Sequence, residues 1–443
     1  MLPVPFCLLY KHVMTALGYT LGVFALILLL SRLKLPLSLA ILLGTIAIGL
    51  LFGQGPGELA GALLSGAIGP MAVGMVLITA VQLMLSESMR LSGQLQRIVD
   101  LTRLVLRRPR IALAALPALI GLLPMPGGAL FSAPMVESAA AGEKIDGGRL
   151  SAINYWYRHI WEHWWPLYPG VILAMSLTAS PPGVFMAWQF PLWVFMIGSG
   201  LWVFRGVRLS RRPASAEAPP GTRRRLLVAT SSIWVILIFW PLTAIALSAV
   251  PHGAMPEYLQ TLADKFIPIT VGMTVSMIWT ARMNRFPLAG LGRILVSGPV
   301  LKLLALVAAV MVFQFVLERV GAAGQIGQEL RRLHMPVTLV MVVLPFIAGM
   351  VTGLAVGFVG TSFPIVLALI AGLPGDQMRP YVALAYAAGH LGMMLSPLHV
   401  CQVVSNEYFK TSYGPVYRRI LPAVITMAVL VAGYFAVLRI VTR

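Results

Sequence analysis

The 443 residues carry 58% hydrophobic and 11% charged side chains, and the mean hydropathy is +0.87. Soluble domains carry about 25% charged residues, so the composition excludes a soluble enzyme, a disordered tail and a secreted disulfide scaffold. Backbone in lipid must satisfy its hydrogen bonds within helices or a closed barrel, and the apolar runs here are long rather than alternating. The chain is therefore predicted to be an all-α polytopic membrane protein.

Apolar stretches of about 20 residues predict ten transmembrane helices. In chain order they lie at 13–31, 35–53, 58–86, 150–178, 184–204, 226–249, 264–281, 294–317, 377–406 and 416–438. Two further apolar stretches, 111–142 and 336–373, are too long and too interrupted by Gly and Pro for one simple span each.

The net charge is +19, and most of the Arg and Lys residues lie in short loops between apolar spans. Membrane topology explains this distribution, so nucleic acid is not expected as a partner. Five groups of Arg and Lys stand out, at 32–34, 90–110, 205–225, 282–293 and 410–419. They lie on one side of the membrane if each half crosses it five times. The positive-inside rule makes that side the cytoplasm, with both termini outside. An odd number of crossings predicts that residues 226–443 form a repeat inverted relative to residues 1–204. The linker 205–225, rich in Arg, Pro, Ala and Ser, is predicted to be a flexible cytoplasmic loop.

Each of the two interrupted stretches is predicted to form a re-entrant hairpin. The first contains LLPMPGGALFSAP and the second GLAVGFVGTSFP. Proline removes a hydrogen-bond donor and glycine allows close backbone approach, so the tips would expose backbone that survives at membrane depth only around a cavity. The predicted tip residues are Gly127, Gly128, Ser132, Gly360, Thr361 and Ser362.

A helix interrupted by proline follows each hairpin. The first, at 150–178, is interrupted at Pro166 and Pro169, and the second, at 377–406, is interrupted at Pro397. Corresponding interrupted segments in two inverted halves indicate a transporter binding site near the middle of the membrane.

Two halves that each hold a hairpin and a broken helix resemble the ion transporter superfamily, which includes divalent-anion/sodium symporters, gluconate permeases, citrate transporters and arsenite permeases. Four segments resemble more closely the domain-of-unknown-function 401 family of prokaryotic membrane proteins: PMPGGALFSAP, INYWYRHIWEHWWPLYPG, GFVGTSFPIVL and SPLHVCQVVSNEYFK. The resemblance covers nearly the whole chain and implies a multi-pass protein of the prokaryotic inner (cytoplasmic) membrane. The paired Ser-Asn-Thr tips of the divalent-anion symporters are absent; Ser132, Thr361 and Ser362 are the nearest equivalents, which would place sodium near Ser132 and Thr361.

Ionisable residues at membrane depth are functional by default. Arg158 and Glu162 are four residues apart, as are His159 and His163, so each pair is predicted to share a helix face. Arg158 and Glu162 would then be an ion pair that permits burial. Alternatively, Arg158 would be an anion-binding fork, while Glu162 or a histidine takes up the coupling proton. The polar residues that flank the second break and would complete the site are His390, Ser396 and His399.

These features predict a secondary active transporter for a small organic anion, most simply a carboxylate, coupled to a proton or sodium gradient. A cation/proton antiporter is the alternative, and an intramembrane enzyme or lipid-handling protein is a third. No nucleotide, hydrolase or zinc-protease motif is present, so the chain is predicted not to be an enzyme and to need no cofactor or metal other than the coupling ion. The expected partners are the small anion and membrane lipids, and a homodimer stays open.

Overall fold

The computed structural model describes residues 15–33, 35–106, 109–122, 128–207, 219–251, 255–287, 289–332, 336–370 and 372–442. The regular structure in these ranges is helical, with no strand among the described residues. Of the predicted site residues, Gly127 lies outside these ranges, as do the linker residues Arg208, Arg211 and Arg212.

The described residues of the first half contain ten helices followed by a 3₁₀ turn at Gly200–Phe204. In order, they are α1 (Thr15–Arg32), α2 (Leu37–Leu51), α3 (Pro56–Ile68), α4 (Pro70–Leu91), α5 (Gln94–Val105), α6 (Pro109–Gly121), α7 (Ala129–Ala139), α8 (Gly147–Arg158), α9 (Pro169–Leu177) and α10 (Pro182–Ser199).

The second half contains twelve helices among the residues described. In order, they are α11 (Thr222–Ala229), α12 (Ser231–Ser248), α13 (Glu257–Lys265), α14 (Ile267–Met283), α15 (Ala289–Leu295), α16 (Gly298–Arg319), α17 (Ala322–Arg332), α18 (Val337–Thr352), α19 (Ala355–Ile370), α20 (Gly375–Met394), α21 (Val400–Tyr408) and α22 (Tyr413–Val441).

The series α4 to α10 and the series α16 to α22 have the same order of elements. Each opens with a 22-residue apolar helix, α4 or α16, followed by a short helix with a polar face. A glycine with positive φ precedes each short helix, Gly93 (φ +70°) and Gly321 (φ +64°). These left-handed turns are conformations that glycine adopts without a steric penalty.

In the part of the chain that the structure describes, five stretches are long and apolar enough to cross a membrane: α4, α10 with its 3₁₀ turn, α12, α16 and α22. The pair α13 and α14, bent by 56°, forms a further candidate. Apolar side chains on α12 face outward, with Leu242 54% and Ile245 67% exposed, as expected of a surface in contact with lipid. The prediction of an all-α polytopic membrane protein is confirmed.

The predicted single helix at 58–86 is wrong, because the structure divides it at Gly69 into α3 and α4. Gly69 has extended backbone (φ −61°, ψ 152°), and Pro70 begins the next helix. Proline has no N–H to continue a helix but fits its first turn.

The two halves are interleaved rather than side by side. Helix α16 of the second half packs against α2, α3 and α4 of the first, and α22 packs against α8 and α10. Helices α18 and α20 approach closely, since a Cβ added to Gly349 would overlap the carbonyl oxygen of Gly389 and one added to Gly392 would overlap that of Phe346. Small residues permit such contacts where lipid supplies no hydrophobic driving force between helices.

A buried carboxylate ties the beginning of α1 to the second half. The two oxygens of Glu329, on α17, accept hydrogen bonds from the backbone N–H groups of Ala16 (2.9 Å) and Leu17 (2.8 Å). The first N–H groups of a helix lack partners within it, and a negative charge there also suits the helix dipole.

Candidate functional site

Both proline-interrupted segments are broken, and their broken ends meet. Helix α8 ends at Arg158 and α9 begins at Pro169, while α20 ends at Met394 and α21 begins at Val400. The hydroxyl of Tyr155 donates to the carbonyl of Met394 (3.1 Å), and that of Tyr386 donates to the carbonyl of Glu162 (2.8 Å). These two hydrogen bonds join the break of one half to the broken helix of the other.

A cavity of about 140 Å³ lies at this junction. Its polar wall consists of Gln82, Arg158, His159, Glu162, Tyr168, His399 and Cys401. Its apolar wall includes Leu303, Leu306 and Val307 of α16, together with Leu354, Ala355 and Val356 at the beginning of α19. Elements of both halves therefore enclose a space with polar groups on one side.

Arg158 supplies the fixed positive charge of this cavity and is only 3% exposed. Gly128, directly before α7, packs against it: a Cβ added there would overlap the guanidinium, lying 2.5 Å from Cζ. A Cβ on Gly121, the last residue of α6, would overlap the Arg158 carbonyl oxygen. These two glycines thus leave the space that Arg158 occupies.

His159 and His399 form a buried pair across the two breaks. His159 Nδ1 lies 2.6 Å from the carbonyl oxygen of Tyr155, and its Nε2 lies 2.9 Å from Nε2 of His399. A carbonyl oxygen only accepts, so His159 carries a proton on Nδ1; with both rings neutral, its Nε2 then accepts from the N–H of His399. The Tyr155 ring packs edge-on against both imidazoles, with centroids 4.9 and 5.4 Å away.

The Glu162 carboxylate lies between two imidazoles. Its Oε1 is 4.0 Å from Nε2 of His159, and its Oε2 is 3.9 Å from Nδ1 of His390. His390 in turn packs against His163, with ring centroids 4.0 Å apart. Both rings are fully buried, and their nitrogens make no hydrogen bond to a described protein atom.

The prediction that Arg158 and Glu162, and His159 and His163, share one helix face is wrong. Helix α8 ends at Arg158, and residues 159–164 form turns. Arg158, His159 and Glu162 still line one cavity, because the turn carries Glu162 to His159 and His390 instead of continuing along a helix, and His163 packs against His390.

The predicted tip of the second hairpin is also misplaced. The hairpin turns at Gly353, in left-handed backbone with φ +61°, whereas Gly360, Thr361 and Ser362 lie inside α19. The two hydroxyls donate to the carbonyls of Gly357 (2.7 Å) and Phe358 (2.6 Å) in their own helix. A Cβ on Gly360 would overlap Val310 of α16, so this glycine allows two helices to pack closely.

Ser132 and Ser396 also have structural contacts. Ser132, inside α7, donates from Oγ to the carbonyl of Ala129 at 3.4 Å. Ser396 accepts from the N–H of Leu398 at 3.2 Å and so stabilises the second break. Neither residue lines the cavity.

Three residues that the sequence did not single out matter here. Cys401 lines the cavity two residues after His399. Gly353 brings the second hairpin close to the second break: a Cβ added to Gly353 would lie 3.1 Å from the backbone nitrogen of His399. The hydroxyl of Tyr168 donates to the carbonyl of Gly121 (2.5 Å) and fixes the first break to the first hairpin. Two features of the sequence could have indicated the first two of these residues. Cys401 lies close to the break at Pro397, and the Thr-Gly pair that contains Gly353 precedes the glycine-rich run of the second hairpin.

One set of side chains has the composition of a metal site. The ligand atoms of His159, His399 and Cys401 lie within 4.8 Å of one another, and all three residues are buried.

Comparison with known families matches residues 16–217 and 263–438 to the family described as protein of unknown function (DUF401). The chain belongs to this family. The family resemblance predicted from the four segments is confirmed. Among curated proteins, none matches the chain.

Solved structures to which the chain is similar include the following two. The first is MtrF of Neisseria gonorrhoeae, described with a class of antimetabolite efflux pumps, at 12% identity and a TM-score of 0.47 over 86% of this chain and 83% of that one. The second is the YdaH transporter of Alcanivorax borkumensis, described as having an unusual topology, at 15% identity and a TM-score of 0.49 over 95% of this chain and 98% of that one.

Proposed function

We propose that this protein is a secondary active transporter that moves a small organic anion, a carboxylate, with a proton gradient. The observation that carries the proposal is the place of Arg158: a permanent positive charge, 3% exposed, in the wall of a cavity enclosed by two broken helices. Charge at membrane depth costs several kcal/mol or more and marks substrate pathways. A planar guanidinium binds a carboxylate through two parallel hydrogen bonds.

The cavity volume limits the size of the substrate. About 140 Å³ accommodates a small acid of few carbon atoms, and the apolar wall formed by α16 and the beginning of α19 suits a short hydrocarbon portion. The substrate carboxylate would bind the guanidinium of Arg158, while its hydrocarbon portion would contact Leu306 and Val307.

The proposed carrier of the coupling proton is the pair His163 and His390. A histidine changes charge near neutral pH, and the 4.0 Å separation of the two rings disfavours a second positive charge. The Glu162 carboxylate, 3.9 Å from His390, would stabilise one charge on the pair. Coupling to sodium is the alternative to coupling to protons. The hydroxyls of Ser132 and Thr361, near which sodium was predicted, both donate to backbone carbonyls.

We further propose that the matching series α4 to α10 and α16 to α22 are inverted repeats, with the hairpins entering from opposite sides and the basic loops in the cytoplasm of a prokaryotic inner membrane. The shared order of elements and the breaks that meet at one cavity support this arrangement.

The test is uptake of labelled carboxylates and sugar acids into liposomes that contain the purified protein, under an imposed proton or sodium gradient. We expect uptake driven by the proton gradient, loss of uptake in Arg158→Gln, and unchanged uptake in Arg149→Gln. Arg149 is a matched control because it lies on the same helix but pairs with Asp146 outside the cavity. Failure of every acid under both gradients would overturn the anion proposal.

Cation/proton antiport is the second candidate, and it is favoured by the presence of Glu162 in the cavity wall. It predicts that sodium, potassium or lithium dissipates a proton gradient in inverted vesicles, as followed by a pH-sensitive dye. An intramembrane enzyme would instead convert a lipid without net flux, which analysis of extracted lipids would detect.

A further inference from the structure

We infer that His159, His399 and Cys401 form a binding site for a transition-metal ion of the Zn²⁺ class in the wall of the cavity. The three ligand atoms lie within 4.8 Å of one another. Two imidazoles and a thiolate are the ligands that zinc and other borderline or soft metal ions prefer in proteins. Hard oxygen-seeking cations such as Mg²⁺ would not be favoured.

The two histidines are already oriented toward a common point. Nε2 of His159 faces Nε2 of His399 at 2.9 Å, while Nδ1 of His159 donates to the carbonyl of Tyr155 at 2.6 Å. A hydrogen bond from the outer ring nitrogen to a backbone carbonyl is the usual second contact of a metal-binding histidine, since it fixes the tautomer and the ring orientation. Edge contacts with the Tyr155 ring hold both imidazoles.

The distances require a small local rearrangement. Tetrahedral zinc with bonds of about 2.0–2.1 Å places two nitrogens about 3.3 Å apart, so the imidazoles must separate by about 0.4 Å. His159 follows the last residue of α8 and His399 precedes the first residue of α21, so both belong to the breaks rather than to helix interiors. The proton that joins the two imidazoles moves to Nδ1 of His399, and the Cys401 thiol gives its proton to solvent.

Charge and coordination number leave room for a further ligand. A Zn²⁺ ion with one thiolate retains one positive charge, and Oε1 of Glu162, 4.0 Å from Nε2 of His159, could approach to neutralise it. Three protein ligands leave the fourth tetrahedral position directed toward the cavity, as in zinc sites that bind a small molecule. Glu162 or an anion in the cavity would occupy that position.

The ligands come from both halves of the chain. His159 belongs to the first break, whereas His399 belongs to the second break and Cys401 to the first turn of α21 that follows it. A bound ion would therefore link the two broken helices. The site depends on three side chains and not on anion transport, so metal binding tests it even if the proposed transport function fails.

The experiment uses the full chain in detergent, freed of metal by chelation and titrated with Co²⁺. Cobalt bound to a cysteine thiolate gives a charge-transfer band in the near ultraviolet. We expect this band at a stoichiometry of one ion per chain, and its loss when Zn²⁺ replaces the cobalt. Excess Mg²⁺ should leave it unchanged.

Two cysteine variants localise the ion. Cys401→Ser should remove the band, and the matched control Cys7→Ser, which alters the other cysteine of the chain, should retain it. His399→Gln, a second variant for the case in which Cys401→Ser does not fold, should weaken Co²⁺ binding by about tenfold or more. Absence of the band in folded wild-type protein, or its survival in folded Cys401→Ser, would overturn the proposal.

Discussion

Replacement of Gly128 by alanine tests the role of Arg158 without altering Arg158 itself. The backbone of Gly128 is helical (φ −58°, ψ −13°), so alanine can adopt it without strain. The added methyl group would overlap the guanidinium, because Cζ would lie 2.5 Å from the new Cβ. Carbon atoms without a bond between them are separated by about 3.5 Å or more, so the guanidinium must retreat by about 1 Å.

The expected consequence is a loss of uptake with little loss of stability. The group that moves is the far end of a flexible side chain, and the change at the beginning of α7 should cost about 1 kcal/mol or less. A misplacement of about 1 Å can cost about 100-fold in activity. We therefore expect uptake at low substrate to fall about 10- to 100-fold, which corresponds to about 1.4–2.7 kcal/mol of lost interaction.

Initial rates of labelled-anion uptake into liposomes measure this effect, with the size-exclusion profile as a check of folding. The matched control is Gly61→Ala on α3, where the added Cβ has nothing within 4 Å. In an Arg158→Gln background, Gly128→Ala should have no additional effect, because neighbouring residues that act through one group are not additive. Uptake by Gly128→Ala equal to that by Gly61→Ala would refute the reasoning.

Three further predictions concern the charge, the assembly and the topology. Arg158→Lys should lower uptake about tenfold or more with normal folding, because the ammonium keeps the charge and loses the bidentate geometry; full activity would show that geometry is irrelevant. Glu329→Gln should lower the free energy of unfolding by about 1–2 kcal/mol, seen as a lower Tm, because two helix N–H groups lose a charged acceptor. The control Glu257→Gln, at an exposed position, should change the Tm little. The topology is tested with single cysteines in a background without native cysteines. Leu122→Cys should react with membrane-impermeant thiol reagents added from the cytoplasmic side, and Leu354→Cys should react with reagents added from outside. Reaction of both cysteines from the same side would contradict the inverted repeats.

The amino-acid sequence by itself determined the class of the protein and two of the places where its helices break. Hydropathy and charge are local properties of composition, so the long apolar runs were enough to predict an all-α polytopic membrane protein. Proline removes a hydrogen-bond donor from a helix, so the breaks before Pro169 and around Pro397 could be predicted as well, although Pro134, Pro191 and Pro380 lie inside continuous helices. Ionisable residues in apolar surroundings identified Arg158, His159, Glu162 and His399 as the candidate site.

The tertiary structure alone decided how these elements meet. The contact of His159 with His399 joins residues 240 positions apart, and no local pattern specifies that distance. Sequence spacing assumed that a helix continues past Arg158, but the turn at 159–164 carries Glu162 elsewhere. The glycines show the same limit: Gly128 faces a guanidinium, Gly353 forms the turn, and Gly360 packs against Val310. Glycine has no side chain that could indicate its partner, so only the surrounding atoms determine whether it forms a turn, a packing contact or part of the site.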